Sequence, residues 1–264
     1  MKKLVLSLVF VIALFYFLKE FIFTEKKIIY NNYIEGLETP YYNNGEIIVK
    51  HKYFILCYDE GNEIPKWVAH VLTRERVNKI VVKRTDDFRE DPYVLTKSAL
   101  PEDYKGSGYD RGHMLPAADM RWSKEAMSET FYMSNMVPQA RKMNSGIWNE
   151  IETKVREWAK IYDTLFIVTG PIITKYQPQK IGRINKVTVP DYLYKAILRK
   201  QNGELNAIAF IVPNQNKLKS YKIFDYIYPI DSVEVKTGLN LYYKLPDDIE
   251  EEVESKVNIK MWAR

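Results

Sequence analysis

The sequence predicts an α+β fold in which strands dominate. Runs of apolar and β-branched residues bounded by turn signals lie at 46–58, 165–171, 192–198 and 207–212. One segment, 149–161, instead carries apolar residues at helical spacing with Glu and Lys between them. Because strands and helices do not alternate regularly, a parallel βαβ architecture is not expected. The expected fold class is therefore α+β.

The individual elements follow from local patterns along the chain. Residues 46–58 predict one long strand or two short ones, ending at a turn formed by Gly61 and Asn62. A further ordered element starts at Pro65, and the β-branched residues at 80–82 predict a short strand. After the predicted helix, buried strands are expected at 165–171, 187–189, 192–198 and 207–212.

Length and composition are those of a folded protein. The 264 residues suffice for one large domain or two small ones, and 46% hydrophobic with 28% charged residues argues against disorder and against a polytopic membrane protein. The net charge of +5 is only a weak bias toward polyanionic partners. The single cysteine, Cys57, excludes an intramolecular disulfide and a cysteine-based metal site, and its apolar neighbours predict a buried strand position.

The N-terminal segment has the pattern of an export signal. A positively charged start precedes an apolar run at 4–18, which ends in bulky residues without a small-x-small cleavage site. We therefore expect an uncleaved membrane anchor over 1–23 that leaves the body extracytoplasmic, in a bacterial envelope. A cleaved signal peptide, and hence a secreted protein, is the second interpretation, and a buried core helix the third. A mitochondrial inner-membrane anchor would have a similar pattern. The polar residues 24–45 predict a linker, so the folded domain is expected over 46–264.

The three histidines differ in their settings. His51 and His70 lie in apolar, strand-like segments and are expected to be structural. His113 ends the sequence Gly-Tyr-Asp-Arg-Gly-His, in which the glycines at 108 and 112 permit tight backbone geometry. A neutral imidazole with an ordinary pKa near 6.5 accepts a proton at physiological pH. Since so short a motif also matches by chance, a structural role for His113 stays open at this point.

A second group of polar residues follows within about forty positions. Asn144 precedes the predicted helix, where by itself it would be an N-cap. Glu152 and Arg156 are four apart on that helix and share a face, which alone indicates a surface ion pair. Together with His113, they supply a base, an amide able to bind a metal and a guanidinium. Metal-assisted cleavage of a phosphodiester requires these groups.

The chain resembles the DNA/RNA non-specific endonucleases of the ββα-metal (His-Me finger) superfamily, which includes endonuclease G. The central matches are YDRGHMLPAADM and ETFYMSNMVPQARKMNSGIWNEIETKVREW. Shorter matches are PKWVAH, KRTDDFREDP, FIVTGPII, VTVPDYLYKAIL, AIAFIVPN and SVEVKTGLNLYYKLP, so the resemblance runs from about residue 46 to residue 246. It implies the ββα-metal fold, with a central, mostly antiparallel sheet flanked by helices.

The resemblance also implies chemical roles for four residues. His113 would be the general base that activates the attacking water. Asn144 would be the one direct protein ligand of Mg²⁺, for which Mn²⁺ or another divalent ion could substitute. Glu152 would hold a water bound to that ion, and Asn135 would position His113 or the phosphate.

Phosphate contacts are implied for several arginines. Arg111 and Arg156 would contact the scissile or an adjacent phosphate, Arg84 or Arg89 would add another contact, and Asp110 would support the loop. The resemblance implies Mg²⁺-dependent hydrolysis of DNA and RNA that gives 5′-phosphate products. Because phosphate contacts carry no base code, weak sequence preference is expected.

Other interpretations and partners remain at this stage. A catalytically silent nucleic-acid-binding envelope protein of the same fold is the main alternative. A metalloprotease is disfavoured, since the chain has no His-Glu-x-x-His motif. A homodimer and an inhibitor protein are further partners that family members would suggest. A histidine base with an ordinary pKa predicts a rate that rises with pH through the imidazole titration.

Overall fold

A computed structural model describes residues 27–262 of the chain, with an antiparallel sheet at the centre. The anchor or signal predicted over 1–23 lies outside the described residues. Within the described part of the chain, no helix is both long and apolar enough to cross a membrane.

The strands are β1 (Ile28–Ile29), β2 (Ile47–Lys50), β3 (Phe54–Asp59), β4 (Ile64–Thr73), β5 (Tyr109–His113), β6 (Met136–Ala140), β7 (Thr164–Ile172), β8 (Lys180–Ile181), β9 (Val187–Thr188), β10 (Tyr192–Gln201), β11 (Glu204–Pro213) and β12 (Ile227–Tyr228). The main sheet has the strand order β1-β11-β10-β7-β4-β3-β2, with β12 paired to β11, and every pairing is antiparallel. Two further pairs, β5–β6 and β8–β9, stand apart from this sheet.

The helices are mostly short and connect or cover the strands. They are α1 (Arg74–Asn78), α2 (Pro101–Tyr104), α3 (Lys124–Glu129), α4 (Arg141–Met143), α5 (Asn149–Ile161), α6 (Ile230–Thr237) and α7 (Asp247–Glu254). A π-helical turn, Asn144–Trp148, joins α4 to α5, and 3-10 turns occur at Ala117–Met120, Met133–Asn135, Ile223–Tyr226 and Ile259–Met261. The helix predicted at 149–161 is confirmed with the same bounds.

The two faces of the sheet carry separate hydrophobic cores, because successive side chains of a strand point to opposite faces. On β4, Val68 and Leu72 belong to one core, whereas Trp67 and Ala69 belong to the other. The first core also contains side chains of the β5–β6 pair and of α5, and the second contains those of α6 and α7. The α+β class is therefore confirmed, as a sheet with helices on both faces.

One local prediction of secondary structure differs from the structure. Residues 80–82 form no strand: Ile80 and Val81 are exposed, and the amides of Val81 and Val82 both donate to the carbonyl of Arg121. The β-branched pattern at 80–82 was misleading because no strand lies beside this segment to complete a ladder. In contrast, residues 46–58 form two strands, β2 and β3, which pair with each other.

The predicted linker 24–45 is described from residue 27 onward, and part of it packs against the sheet. Ile28 pairs with Leu205 of β11, and Leu37 is buried in the second core. The Lys244 ammonium donates to the carbonyl of Glu35 at 2.8 Å. The apolar residues that anchor this segment are isolated from one another in sequence. They therefore give no periodic signal, and the boundary placed at residue 46 leaves packed chain outside the domain.

Candidate active site

The residues of the Asp-Arg-Gly-His motif form the first strand of a β-hairpin-like pair followed by a helix. β5 and β6 are antiparallel, with Gly112 opposite Val137 and His113 opposite Met136. The chain then runs from β6 through α4 and the π-helical turn into α5. Met114, Val137 and Trp148 anchor this ββα unit in the first hydrophobic core. The motif and Asn144, thirty-one positions apart in sequence, are therefore held on one rigid unit.

Gly112 is required where it stands because of the neighbouring strand. A Cβ at this position would lie 2.0 Å from Cδ of Gln139, whose side chain is fully buried. Any larger residue must displace either this buried side chain or the strand itself, and the strand pair positions His113. The glycine thus serves close packing, rather than the conformational freedom that the sequence suggested.

Gly112→Ala is expected to destabilise the protein by about 1–3 kcal/mol, or roughly 2 to 12 °C in Tm, and to lower activity further by displacing His113. Differential scanning fluorimetry and a nuclease assay check both effects. Gly61→Ala is the control, because its Cβ would make only an ordinary 3.4 Å contact with Asp59. The double variant Gly112→Ala/Gln139→Ala should recover part of the loss. If it recovers none, the close contact with Gln139 is not the cause.

The ring of His113 lies between two aromatic rings. Its centroid is 5.0 Å from that of Phe131 and 5.7 Å from that of Phe88, both in edge-on geometry. The Nε2 atom is buried and has no hydrogen-bond partner among the described residues. Water can therefore reach the ring only at Nδ1. The neutral tautomer that serves as a base carries its proton on Nε2.

Each aromatic neighbour of His113 also makes a cation–π contact with an arginine. The Arg111 guanidinium carbon lies 4.0 Å from the centroid of Phe88, and that of Arg84 lies 4.8 Å from the centroid of Phe131. Burial, followed by the positive charges of Arg84 and Arg111, lowers the pKa of His113 to about 3. The ring is therefore neutral well below pH 6.5. This environment argues against a rate that rises through an imidazole titration near pH 6.5.

Glu152 has the opposite shift. Burial raises the pKa of this carboxyl to about 7, with the charge of Asp119 adding to the rise and those of Lys195 and Arg156 opposing it. The ionised carboxylate, which only accepts hydrogen bonds, is therefore gained as the pH rises through about 7. Glu152 and His113 thus contribute to the pH dependence in different ranges.

We expect kcat/KM to rise as the pH passes through about 7, because Glu152 ionises there. His113 should cause no change in kcat/KM between pH 5 and pH 9, because its pKa lies below that range. Measuring kcat/KM over that range at constant Mg²⁺ concentration checks this for the wild type and Glu152→Gln. The rise of kcat/KM near pH 7 should be absent in Glu152→Gln, whose rate should also be lower at every pH. A limb near 6.5 that persists in Glu152→Gln would assign His113 an ordinary pKa.

Asn144 is held in a fixed orientation by Asp110. Its Nδ2 donates to Oδ2 of Asp110 at 3.1 Å, while Nε of Arg141 donates to Oδ1 of the same carboxylate at 3.1 Å. Because an ionised carboxylate can only accept, Nδ2 must face Asp110, and Oδ1 of Asn144 is left free. A carbonyl-type oxygen is a ligand that hard divalent cations prefer.

The backbone around Asn144 departs from a regular helix. The helical segment begins at Arg141, with Ala140 as N-cap, so Asn144 is not an N-cap. It starts a π-helical turn in which Gly146 has non-helical angles of φ −99° and ψ −111°. Such turns are frequent at functional sites, because the added residue redirects a side chain out of the regular helical row.

Asn135 acts on the backbone after His113. Its Nδ2 donates to the carbonyls of Leu115 and Thr130 at 3.0 and 2.8 Å, and its Oδ1 accepts from the Leu115 amide at 2.9 Å. The side chain is fully buried. Its hydrogen-bonding atoms are thus used by the protein, which leaves none for a phosphate. Of the two predicted roles, positioning the His113 segment fits and phosphate contact does not.

The predicted arginines fall into different settings. Arg84 and Arg111 are exposed beside His113, and Arg84 also pairs with Asp86 at 2.6 Å. Arg156 instead donates to Asp119 at 3.1 Å and to Thr153 at 2.9 Å. Arg89 donates to Asp87 and to both the carbonyl and the hydroxyl of Ser128. Arg89 is therefore tied to the scaffold, and Arg84 is the better placed of the two residues that the sequence left open.

Comparison with known proteins decides the family. The sequence model described as DNA/RNA non-specific endonuclease matches residues 33–248. The chain belongs to the DNA/RNA non-specific endonuclease family. Mitochondrial nuclease EXOG of Mus musculus is 35% identical over 226 residues, covering 80% of this chain and 59% of the relative. Mitochondrial endonuclease G of Homo sapiens is 35% identical over 199 residues, covering 70% of this chain and 66% of the relative. The chain thus spans about three fifths to two thirds of these relatives' lengths.

A solved structure agrees with this assignment. The crystal structure of an EndoG/EndoGI complex, described as showing the mechanism of EndoG inhibition, matches with a TM-score of 0.70 and 32% sequence identity. The match covers 78% of this chain and 89% of that one. The ββα-metal nuclease fold that the family resemblance implied is thereby confirmed.

A buried polar network behind the endonuclease motif was not predicted. Lys195 of β10 is 1% exposed, and its Nζ donates to Thr169 at 2.7 Å and to the carbonyl of Met114, next to His113, at 3.4 Å. Asp119 pairs with Arg156, and its other oxygen lies 3.4 Å from Nε2 of the buried His70. The available signal was a lysine in the middle of the apolar strand 192–198, where a charge needs partners.

The remaining histidine is structural. His51 is buried, with Nε2 3.0 Å from Oδ2 of Asp91, and its ring stacks on Phe54 and Tyr132. His70 belongs to the polar network, and His113 is therefore the histidine of the described chain that lies beside two exposed arginines, Arg84 and Arg111. Cys57 is buried on β3, as its apolar neighbours predicted.

Proposed function

We propose that this chain is a divalent-metal-dependent endonuclease that hydrolyses DNA and RNA without sequence preference. The observation that carries the proposal is the geometry of the ββα unit. It holds the neutral His113 ring between Phe88 and Phe131, each of which contacts an arginine, and it leaves Oδ1 of Asn144 free. A base and a metal-competent oxygen on one unit are the two groups that phosphodiester hydrolysis needs.

The residues around Asn144 fit a hard cation such as Mg²⁺ or Mn²⁺. Asn144 offers one neutral oxygen, and Asp110 fixes the amide without using that oxygen. A single protein ligand suits Mg²⁺, which keeps several waters and binds substrate phosphate oxygens directly. When bound, the cation would neutralise charge that develops on the phosphate and on the leaving oxygen.

The protein's own groups would supply the other steps. Nδ1 of His113, a nitrogen of a neutral imidazole, would take a proton from the attacking water. Arg111 and Arg84 would bind phosphate oxygens from the exposed side of the site. Glu152, ionised above about pH 7, would accept a hydrogen bond from a water in the site. Arg156, bound to Asp119, would orient that carboxylate network or contact an adjacent phosphate.

Weak sequence preference follows from the groups available. Guanidinium groups that bind phosphates read no base edge, so DNA and RNA of any sequence would be accepted. The family resemblance further implies products with 5′-phosphates. Two relatives are named nucleases, which supports the reaction class. The main competing function is a nucleic-acid-binding envelope protein of the same fold without catalysis.

The test is incubation of the full-length protein with supercoiled plasmid and with single-stranded RNA, in Mg²⁺ or in EDTA. We expect both substrates to be degraded in Mg²⁺ and neither in EDTA. Retained binding without cleavage in any divalent ion would favour the silent binding protein. End-labelling of the products distinguishes 5′-phosphate from 3′-phosphate termini.

Arg84→Ala is expected to weaken nucleic-acid binding, with the slope of log affinity against log salt falling by roughly one unit. The physical reason is the loss of one phosphate contact, with the counterions that it releases. Fluorescence anisotropy at several salt concentrations, in EDTA, measures this. Arg89→Ala is the matched control: its guanidinium binds Asp87 and Ser128, so it should lower Tm and leave the salt slope unchanged. Equal slope changes for both variants would argue against a specific phosphate contact by Arg84.

Location and partners complete the proposal. An N-terminal anchor over 1–23 would tether the nuclease to a membrane, extracytoplasmically in a bacterial envelope, whereas cleavage would release it. Fractionation followed by N-terminal sequencing separates the two. A homodimer and a protein inhibitor are further partners, and the inhibitor is supported by the matching structure of an EndoG/EndoGI complex.

A further inference from the structure

Three carboxylates meet on the face of the sheet opposite His113. Asp231 and Glu234 belong to α6, and Glu254 is the last residue of α7. One oxygen of each lies within 4.8 Å of one oxygen of each of the others. Since α6 and α7 pack in the second hydrophobic core, this cluster joins two helices that are separate in sequence and lies outside the nuclease centre.

Glu254 is the member that the fold does not satisfy. Its side chain is only 3% exposed, and its Oε1 is buried without a hydrogen-bond partner among residues 27–262. A buried carboxylate oxygen without a partner is costly, and partners are the rule in folded proteins. The position adds to the cost, because the C-terminal end of a helix carries partial negative charge. A positively charged ligand would offset both the missing hydrogen bond and the negative charge at the helix end.

The surroundings of Glu254 supply further negative charge. Glu234 and Asp231 lie in the cluster, and the carboxylates of Glu250 and Glu251 add further negative charge near Glu254. Glu234 is itself oriented, because its Oε1 accepts a hydrogen bond from the Leu241 amide at 2.6 Å. The cluster therefore combines several negative charges with one buried oxygen that has no partner among the described residues.

We propose that Asp231, Glu234 and Glu254 form a second divalent-cation site, which binds Ca²⁺ in preference to Mg²⁺. The donors are all oxygens, as hard cations require. Three carboxylates on one ion suit Ca²⁺, which takes about six to eight oxygens in flexible geometry, better than Mg²⁺, which demands near-octahedral geometry and is usually held by one or two carboxylates. Asp231 and Glu234 are partly exposed, so water can complete the coordination. The ion would fasten α6 to α7 and would take no part in the nuclease reaction.

The experiment measures stability in the full-length Asn144→Ala protein, so that a cation bound at the nuclease centre does not contribute. After EDTA treatment, Ca²⁺ is expected to raise its Tm by roughly 5–10 °C at a hundredfold excess over the dissociation constant, and Mg²⁺ by much less. Adding Asp231→Asn or Glu254→Gln should abolish the rise. Adding Asp248→Asn, an exposed carboxylate of α7 outside the cluster, should leave it intact.

Several results would overturn the proposal. One is a Tm of the Asn144→Ala protein that does not respond to Ca²⁺, and another is a response that survives Glu254→Gln. A third is a Glu254→Gln protein that in EDTA is as stable as the parent with Ca²⁺, which would identify a shared proton in place of a cation. If Glu254→Gln does not fold, equilibrium dialysis decides with the partly exposed Asp231→Asn: one Ca²⁺ per chain in Asn144→Ala, and none when Asp231→Asn is added.

Discussion

Replacing His113 by alanine is expected to lower kcat by roughly 10²- to 10⁴-fold, the usual contribution of a general base, while nucleic-acid affinity changes little. The reason is that His113 presents Nδ1 to water in a neutral state, whereas the phosphate contacts are assigned to Arg84 and Arg111. Single-turnover cleavage of a labelled oligonucleotide measures the rate, and anisotropy in EDTA measures binding.

The vacated space between Phe88 and Phe131 provides a sharper control. These rings flank the imidazole in edge-on contact, so free imidazole added to His113→Ala can occupy the same slot. We expect partial recovery of the rate that saturates with imidazole concentration, and no recovery in a variant that lacks Asn144 instead. A His113→Ala protein with nearly wild-type turnover would remove the histidine from the mechanism.

Asn144→Ala is the second substitution with a large expected effect. It removes the only oxygen assigned to the cation, so Mg²⁺-dependent turnover should fall by about 10³-fold, equivalent to roughly 4 kcal/mol of transition-state stabilisation. Nucleic-acid binding in EDTA should be retained. Asn149→Ala, an exposed asparagine five residues later, is the matched control and should behave as wild type.

Asn144→Asp tests the role of Asp110 in the same site. This substitution keeps an oxygen ligand and loses the Nδ2 donor that binds Asp110 at 3.1 Å, so two carboxylates face each other. Their repulsion should keep activity well below wild type at neutral pH. Full activity in Asn144→Asp would mean that Asp110 does not orient the ligand, and equal loss of binding and turnover in Asn144→Ala would argue against the ligand role.

Local sequence patterns predicted much of this fold because continuous apolar runs report burial directly. The strands at 165–171, 192–198 and 207–212 are central to the sheet and covered on both faces, so their apolar runs are unmistakable. The helix at 149–161 showed itself by its apolar stripe. The misread segment, 80–82, is β-branched but exposed, and its structure depends on the distant carbonyl of Arg121.

The motif residues were recognisable, but their environments were not. The pKa of His113 depends on Phe88, Phe131 and Arg84, which are distant in sequence and reach the ring only through the fold. The positioning role of Asn135 likewise depends on backbone carbonyls twenty residues away. Sequence spacing gives residue types and order, whereas dielectric surroundings and hydrogen-bond partners arise from tertiary packing.

The same limit applies to charges that become neighbours only in three dimensions. Lys195 interrupts an apolar strand, which marks it as unusual without naming Thr169 or Met114 as its partners. Glu254 belongs to the run of acidic residues at 247–254, which in sequence is typical of a solvated helix face. Only the structure shows that its carboxylate is buried against α6.

The position of the bound cation shows directly whether the ββα unit is the metal centre. Crystals of the full-length protein soaked in Mn²⁺ and measured at the manganese absorption edge would give an anomalous peak at each bound ion. We expect a peak within bonding distance of Oδ1 of Asn144, on the side of the amide away from Asp110. A peak confined to the cluster of Asp231, Glu234 and Glu254, with none at Asn144, would contradict the assignment of the ββα unit as the metal centre.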